Sequence, residues 1–236
     1  MTGSSIPALK LNDVQKHFGS FTAVKGVTEV FAPGELICVI GPNGAGKSTL
    51  LNMICGTLRS SSGSISFGDT TIDGLAPERI ARLGIARKFQ VPSVFESLTT
   101  FENLRLAAPP GTDLQALTLL LHKVHLAEDR DVRGADLPHG KKQWLEIGMA
   151  LAMKPKVLLL DEPTAGLSVD ETRDTTRFLK ELTGQVTVIV IEHDMAFVRE
   201  LAARTIVMHH GAVIASGPFE DIESNEMVRD VYLGRR

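Results

Sequence analysis

A glycine-rich segment that ends in lysine and serine carries the strongest chemical signal in the sequence. Residues 41–48 read Gly-Pro-Asn-Gly-Ala-Gly-Lys-Ser and fit the pattern GxxxxGK followed by serine or threonine. Glycines allow several backbone N–H groups to turn toward a phosphate, and a helix that starts at the loop adds positive potential. The predicted phosphate-binding residues are Gly41, Pro42, Asn43, Gly44, Ala45, Gly46, Lys47, Ser48 and Thr49.

Lys47 and Ser48 have separate predicted roles in this loop. The Lys47 ammonium is expected to reach the β- and γ-phosphates of a nucleotide, and the Ser48 hydroxyl to ligate Mg²⁺. A glycine turn that binds nothing is the alternative interpretation. An apolar strand-like run at 36–40 precedes the loop and a helical pattern follows it, which favours nucleotide binding.

Two acidic residues follow a second apolar run. Residues 157–160 read Val-Leu-Leu-Leu, and Asp161 and Glu162 come next. Open α/β sheets bind their ligands at the carboxyl ends of the strands. Asp161 would hold Mg²⁺, and Glu162 would be the general base that takes a proton from the attacking water. Alone, such a pair is typical of a solvated helix cap. Combined with the phosphate loop, it predicts a nucleoside triphosphatase.

The elements that must position these residues are strands in alternation with helices. Residues 9–40 show short β-runs and turns, whereas residues 91–153 are mainly helical. Buried strands that alternate with helices after residue 154 are typical of a parallel α/β sheet. Strands are predicted at 9–14, 24–31, 36–40, 64–67, 157–160, 186–191 and 205–208. Helices are predicted at 47–57, 101–107, 114–124, 140–153, 171–182 and 195–202.

Composition excludes several classes of function. The 236 residues are 43% hydrophobic and 22% charged with a net charge of −3, which provides no basic surface for nucleic acid. No apolar run approaches the roughly 18 residues that span a bilayer, and residues 1–10 lack the pattern of a secretory signal. Cys38 and Cys55 lie in apolar segments without CxxC spacing, so we expect buried thiols in the reducing cytoplasm.

Two further segments narrow the class of triphosphatase. Residues 137–143 read Leu-Pro-His-Gly-Lys-Lys-Gln ahead of the acidic strand, and His193 ends the next predicted strand. The sequence has no Asn-Lys-x-Asp segment for guanine recognition, which argues against a GTPase. The order of the phosphate loop, Gln90, the 137–143 segment, the Asp-Glu pair and His193 resembles the ABC-type ATPases across essentially the whole chain.

The resemblance to ABC-type ATPases implies an ATP site shared between two subunits. It implies that Phe18 stacks on adenine, that Gln90 contacts Mg²⁺ and water, and that His193 senses the γ-phosphate. Residues 137–141 stand where the family has its signature segment, which contacts the ATP held by the opposite subunit. Each residue has a purely structural alternative, and it is their joint order that carries the resemblance.

The same resemblance implies a two-part fold and a set of partners. A P-loop core with an antiparallel β subdomain at the N-terminus would comprise residues 1–90 and 154–236. An α-helical subdomain would be inserted at about 91–153. With ATP and Mg²⁺ as cofactors, the chain would form a head-to-tail dimer with a second ATPase subunit. The dimer would lie at the cytoplasmic face of the cell membrane, beneath permease subunits, and would bind no nucleic acid.

The sequence departs from the family pattern in two places. The signature usually reads Leu-Ser-Gly-Gly-Gln, and here Pro138 replaces its serine and His139 its first glycine, while Gly140 is retained. We expect this change to slow one ATP site, unless His139 supplies a replacement hydrogen-bond donor. Ser168 stands where the loop after the Asp-Glu pair usually carries aspartate, a change expected to loosen communication across the dimer.

Two stretches resemble one importer group in particular. Residues 84–96 and 101–104 look like the ATPases of branched-chain amino acid importers, and residues 87–90 and 142–149 are most similar to urea-importer ATPase subunits. That group combines two ATPase subunits, two permeases and an external solute-binding protein. The expected solute is urea or a branched-chain amino acid or amide. A lipid exporter, a soluble ABC ATPase of DNA repair or translation, and a regulatory nucleotide binder are the alternatives.

An apolar cluster follows Gln90. Val91, Pro92, Val94 and Phe95 are placed where the resemblance puts the contact with the permease's coupling helix. A helix docked in a groove would suit such side chains. Ordinary packing within the helical insert is an equal alternative for each of them.

Overall fold

The computed structural model describes residues 6–88 and 94–233. The strands are β1 (Leu9–Phe18), β2 (Phe21–Phe31), β3 (Leu36–Ile40), β4 (Ser62–Phe67), β5 (Thr70–Thr71), β6 (Ile85–Lys88), β7 (Val157–Asp161), β8 (Thr187–Ile191), β9 (Arg204–His209) and β10 (Ala212–Gly217). The helices are α1 (Lys47–Ile54), α2 (Pro77–Leu83), α3 (Thr100–Ala107), α4 (Leu114–Lys123), α5 (His139–Ala152), α6 (Val169–Glu181), α7 (Met195–Leu201), α8 (Phe219–Ser224) and α9 (Glu226–Leu233).

The larger sheet is parallel over most of its width. Its strand order is β10-β9-β3-β8-β7-β6, and the pairs from β9 to β6 run parallel, whereas β10 pairs antiparallel with β9. The smaller sheet has the order β2-β1-β4-β5, and its pairs are antiparallel. This architecture confirms the predicted α/β fold with an antiparallel N-terminal part.

Strand β3 is buried on both faces because the larger sheet separates two hydrophobic clusters. Successive side chains of a strand point to opposite faces, so Ile37 and Val39 lie in one cluster while Cys38 and Ile40 lie in the other. The first cluster also contains α1 and the smaller sheet, and the second contains side chains of α5, α6 and α7. Burial raises the pKa of Cys38 to about 12, as expected for an inert thiol in an apolar core.

Helices α3, α4 and α5 occupy the stretch where the sequence predicts helices. A capping box formed by Thr99 and Glu102 starts α3, and the Asp113 side chain caps α4. Gly148 in α5 allows close packing, since a Cβ there would lie 3.0 Å from Leu104 Cδ2. The division into a core and a helical subdomain at about 91–153 stays a prediction.

The sequence patterns missed several short elements, among them β6. Only four residues long, β6 carries Arg87 and Lys88, which are atypical of a buried strand. Both cations are paired: Arg87 contacts Asp161 at 3.0 Å, and Lys88 contacts Glu146 at 3.5 Å. Such pairing offsets part of the cost of burying charge, and hydrophobic periodicity does not reveal it.

Within the described ranges, none of the helices is both long and apolar enough to cross a membrane.

Candidate active site

The phosphate loop connects β3 to α1 and is held in a shape that its glycines make possible. Gly41 and Gly46 have φ angles of 151° and 101°, in the region that favours glycine. A Cβ on Gly41 would lie 2.2 Å from the Met208 carbonyl oxygen, and one on Gly46 would lie 2.5 Å from the Ala23 carbonyl oxygen. Neither position has room for a side chain. The loop is therefore fixed by its packing against β9 and β2 as well as by local turns.

Lys47 begins α1 and folds its side chain back across the loop. Its Nζ donates hydrogen bonds to the carbonyl oxygens of Gly41 at 2.6 Å and Pro42 at 3.1 Å. Burial lowers the pKa of Lys47, while the nearby carboxylates of Glu162 and Asp161 oppose that shift. This buried cation therefore lies at the point where the phosphate loop and the acidic pair meet.

A cavity of about 410 Å³ opens over the loop. Its lining includes Phe18, Phe21 and Glu162 together with the loop residues Asn43 to Thr49. Phe18 and Phe21 are exposed at 49% and 62%, at adjacent ends of β1 and β2. The predicted adenine contact Phe18 is thus at the cavity together with a second aromatic residue that the sequence analysis did not single out.

Asp161 ends β7 as a buried carboxylate. The Arg87 guanidinium donates to its Oδ2 at 3.0 Å, and the same guanidinium donates to the Asn52 side chain of α1. No local sequence pattern marks Arg87 as part of this site, because its partners lie 74 and 35 residues away in sequence. The contact ties the end of β6 both to the acidic strand and to the helix of the phosphate loop.

Glu162 lies beside His193, as the order of strands β7 and β8 requires. His193 Nδ1 is 3.4 Å from Glu162 Oε1, and the Glu162 N–H donates to the Ile191 carbonyl at 3.0 Å. Glu162 has a φ of 48°, a left-handed conformation that is uncommon for residues other than glycine. Such strain is stored preferentially at functional sites, so the observation agrees with a catalytic role for Glu162.

The signature segment starts α5. Pro138 is the N-cap residue and makes no side-chain capping hydrogen bond. The His139 ring lies against this chain's own loop, with Nε2 3.4 Å from the Ala165 carbonyl oxygen and 3.2 Å from Gln143 Nε2. Gly140 packs closely against α6, since a Cβ there would lie 2.2 Å from Glu171 Oε1 and the Glu171 side chain would have to shift.

Two other predicted positions complete the site residues. Gln90, predicted to contact Mg²⁺ and water, lies outside the described residues, as do Val91 and Pro92 of the apolar cluster. Ser168, which stands in place of an aspartate, is the N-cap of α6, and its hydroxyl accepts a hydrogen bond from the Glu171 N–H at 3.3 Å. A serine therefore fills the local capping role that aspartate also suits.

The donors present fit a magnesium ion held together with a nucleotide. Ser48 is exposed in the first turn of α1, and Asp161 is near enough to Lys47 to affect its pKa. Hydroxyl and carboxylate oxygens suit Mg²⁺, which takes few protein ligands because phosphates and water complete its shell. Within the part of the chain that the structure describes, no group of three His, Cys, Asp or Glu side chains forms a metal site. The Mg²⁺ ligands Ser48, Gln90 and Asp161 stay predictions.

Comparison with known proteins agrees with this geometry. The model of the ABC transporter family matches residues 24–165 of the chain, which include the phosphate loop, the signature segment and the acidic pair. The chain belongs to the ABC transporter ATPase family. A solved ABC transporter ATP-binding cassette in its ADP conformation has the same fold, with a TM-score of 0.86 and 29% identity over 99% of this chain and all of that one.

Two curated ABC ATPases illustrate the range of relatives. The high-affinity branched-chain amino acid transport ATP-binding protein LivG of Escherichia coli (strain K12) is 33% identical, over 98% of this chain and 99% of its own length. The lipopolysaccharide export system ATP-binding protein LptB of Acidithiobacillus ferridurans is 32% identical, over 96% of each chain. The sequence identity to the branched-chain amino acid transport protein is thus similar to the identity to the lipopolysaccharide export protein.

Loss of the Lys47 cation is expected to weaken nucleotide binding. Lys47→Ala removes the predicted charge-assisted contact to phosphate, so the affinity for ATP should fall by about 10- to 100-fold. Calorimetric titration of the full chain with ATP measures this, with Lys180→Ala, an exposed lysine in the last turn of α6, as the matched control. Unchanged affinity in Lys47→Ala would contradict the assignment of the phosphate loop.

Proposed function

We propose that this chain is the ATP-hydrolysing subunit of an importer and works in a head-to-tail dimer beneath a membrane permease. The observation that carries the proposal is that one cavity is lined by the phosphate loop, by two aromatic side chains and by Glu162. A nucleotide whose phosphates lie on residues 41–48 would share this cavity with Glu162, whose carboxylate is 3.4 Å from His193 Nδ1.

The chain's own residues supply the steps of hydrolysis. Backbone N–H groups of the loop and the Lys47 ammonium hold the phosphates, and Phe18 with Phe21 provides aromatic faces for adenine. Glu162 takes a proton from water onto its carboxylate, the water oxygen bonds to the γ-phosphorus, and the bond to the β,γ-bridging oxygen breaks. His193, 3.4 Å from Glu162, stabilises the γ-phosphate oxygens. Bound Mg²⁺ would neutralise charge on the phosphates, held by Ser48, Asp161 and Gln90.

The second subunit is needed to complete each ATP site. Residues 137–141 lie at the start of α5, where the N-terminal potential of the helix attracts an anion. In a head-to-tail dimer this segment faces the ATP of the partner, and the partner's signature faces Lys47. Such a dimer would lie at the cytoplasmic face of the membrane.

The proposed solute is urea or a branched-chain amino acid or amide, delivered by an external solute-binding protein. Similarity to LivG supports the amino-acid side of this choice, and the resemblance of residues 87–90 and 142–149 to urea-importer subunits supports urea. The ATPase does not contact the solute, so the identity of the solute has to be tested on the solute-binding protein.

A thermal-shift screen of the cognate solute-binding protein separates these solutes. Ligand that binds only the folded protein at 100 times its Kd stabilises it by about 2.7 kcal/mol, enough to raise the melting temperature by several degrees. A rise in melting temperature with urea would support urea as the solute, and a rise with leucine alone would assign branched-chain amino acids. Export, the alternative favoured by the similarity to LptB, predicts no partner binding protein that responds to either solute.

A further inference from the structure

Glu192 is a buried carboxylate beside the active site that the sequence analysis did not single out. It lies between Ile191 and His193 at the end of β8 and is 1% exposed. One oxygen, Oε1, accepts from the Thr164 N–H at 3.1 Å and the Thr164 hydroxyl at 2.6 Å. The other, Oε2, accepts from the His193 N–H at 3.2 Å.

These bonds join the two segments that carry the catalytic pair. Thr164 is two residues beyond Glu162 in the loop after β7, and His193 is the first residue after Glu192. His193 Nδ1 lies 3.4 Å from Glu162 Oε1 and 4.0 Å from Glu192 Oε2. The Glu162 N–H already bonds to the Ile191 carbonyl at 3.0 Å, so the two segments are joined through the backbone at that point. Glu192 adds a side-chain bridge one residue further along, between Thr164 and His193.

The same loop also contacts the signature helix of this chain. Gln143 of α5 donates to the Ala165 carbonyl at 2.6 Å, one residue after Thr164. Hydrogen bonds, together with the backbone from Thr164 to Ala165, thus connect Glu192 to the first turns of α5.

Burying a carboxylate at this position costs free energy, which argues that the hydrogen bonds of Glu192 serve a function. Burial raises the pKa of Glu192, against the opposing hydrogen bonds from Thr164 and His193. An apolar residue would be cheaper to bury in this sheet, whose neighbouring residues in β8 are apolar. Glutamine has one acceptor oxygen, so its NH₂ group would face a backbone N–H at one end of the bridge.

We propose that Glu192 is a positioning residue for ATP hydrolysis, which acts by holding the loop after β7 and the end of β8 at the spacing that keeps His193 next to Glu162. The inference rests on the proposed function of Glu162 and His193. The phosphate loop lies at residues 41–48, and the hydrogen-bond partners of the Glu192 side chain are Thr164 and His193. Its loss should therefore lower kcat and leave the KM for ATP within about 2-fold. A misplacement of about 1 Å at a reacting group costs up to about 10² in rate, so we expect kcat of Glu192→Gln to fall by about 10-fold or more.

The test uses the assembled transporter and a matched buried residue on the same strand. Thr187 at the start of β8 is buried, accepts from the Gly34 N–H at 2.9 Å and donates to the Ala32 carbonyl at 3.2 Å. Thr187→Val should lower the melting temperature of the complex without a change in kcat. If Glu192→Gln behaves in the same way, Glu192 has a structural role and the proposal is overturned.

A double-mutant cycle with His193 provides the decisive readout. If Glu192 acts through His193, then Glu192→Gln costs little further kcat in a His193→Ala background, because the pair it positions is already lost. Additive losses would overturn the proposal. Glu162→Gln, measured in parallel, distinguishes a failure of the proposed function from a failure of the positioning role. If Glu162→Gln is fully active, the proposed catalytic site is rejected. If Glu162→Gln is inactive but Glu192→Gln is fully active, only the positioning role is rejected.

Discussion

Glu162→Gln is expected to bind ATP with near-parental affinity and to hydrolyse it at least about 10² times more slowly in the assembled transporter. The amide keeps the size of the side chain but does not accept the proton of the attacking water. ATP binding is retained because the phosphate loop and Lys47 are unchanged. Slow hydrolysis leaves ATP between the subunits. Without the permease, the variant chain and its partner subunit should therefore also accumulate as a dimer in ATP, measurable by light scattering after size-exclusion chromatography.

Glutamine is the right replacement because the backbone at Glu162 is strained. Glu162 has a φ of 48°. Glycine at this position would relax the backbone as well as remove the side chain, whereas glutamine leaves the backbone preference unchanged. Glu200→Gln, an exposed glutamate on α7, is the matched control and should hydrolyse ATP at the parental rate. Parental activity in Glu162→Gln would remove this residue from the role of general base.

Pro138→Ser is expected to activate the ATP site that this chain completes on its partner. Pro138 has neither a side-chain hydroxyl nor a backbone N–H, so the partner's ATP loses two possible donors. A missing donor to developing charge typically costs about 10² to 10³ in rate. The His139 ring is turned to Ala165 and Gln143 of its own chain, which argues against its use as a replacement donor. We therefore propose an unequal pair of ATP sites.

The gain in ATPase activity from Pro138→Ser should be largest when the ATP site on Lys47 of this chain is inactive. In a Glu162→Gln background, the ATP on Lys47 of this chain is hydrolysed slowly, and the remaining turnover comes from the ATP that faces Pro138. Adding Pro138→Ser should then raise residual ATPase activity by about 10². In the parental background the gain is limited to about 2-fold, because the site on Lys47 already turns over.

The local structure makes this substitution easy to interpret. Serine is favoured at the N-cap, the position that Pro138 occupies, so the variant should fold at least as stably as the parent. Pro110→Ser, an exposed proline before α4, is the control and should leave ATPase activity unchanged. Lower activity in Pro138→Ser, together with equal costs for Glu162→Gln and the corresponding change in the partner, would contradict the asymmetry.

Much of the candidate site was predictable because its signals are local. The phosphate loop depends on glycines whose conformation its own turn requires, and the Asp161–Glu162 pair directly follows the strand that positions it. The parallel sheet follows from buried apolar strands in alternation with helices, and the structure confirms the predicted α/β fold. Prediction was weaker where elements are short or charged. The four residues of β6, with Arg87 and Lys88, have no periodicity that marks a strand.

The sequence by itself determined where the phosphate-loop motif lies and which carboxylates follow β7, since those patterns are contiguous along the chain. Only the tertiary structure placed Phe21 beside the cavity, Arg87 on Asp161, and Glu192 on the loop after β7. Arg87 and Asp161 are 74 positions apart in the sequence, and Thr164 and Glu192 are 28 positions apart. A buried charge is tolerated only where the fold brings it a partner, and that partner is decided by the order in which strands meet in the sheet rather than by neighbouring residues.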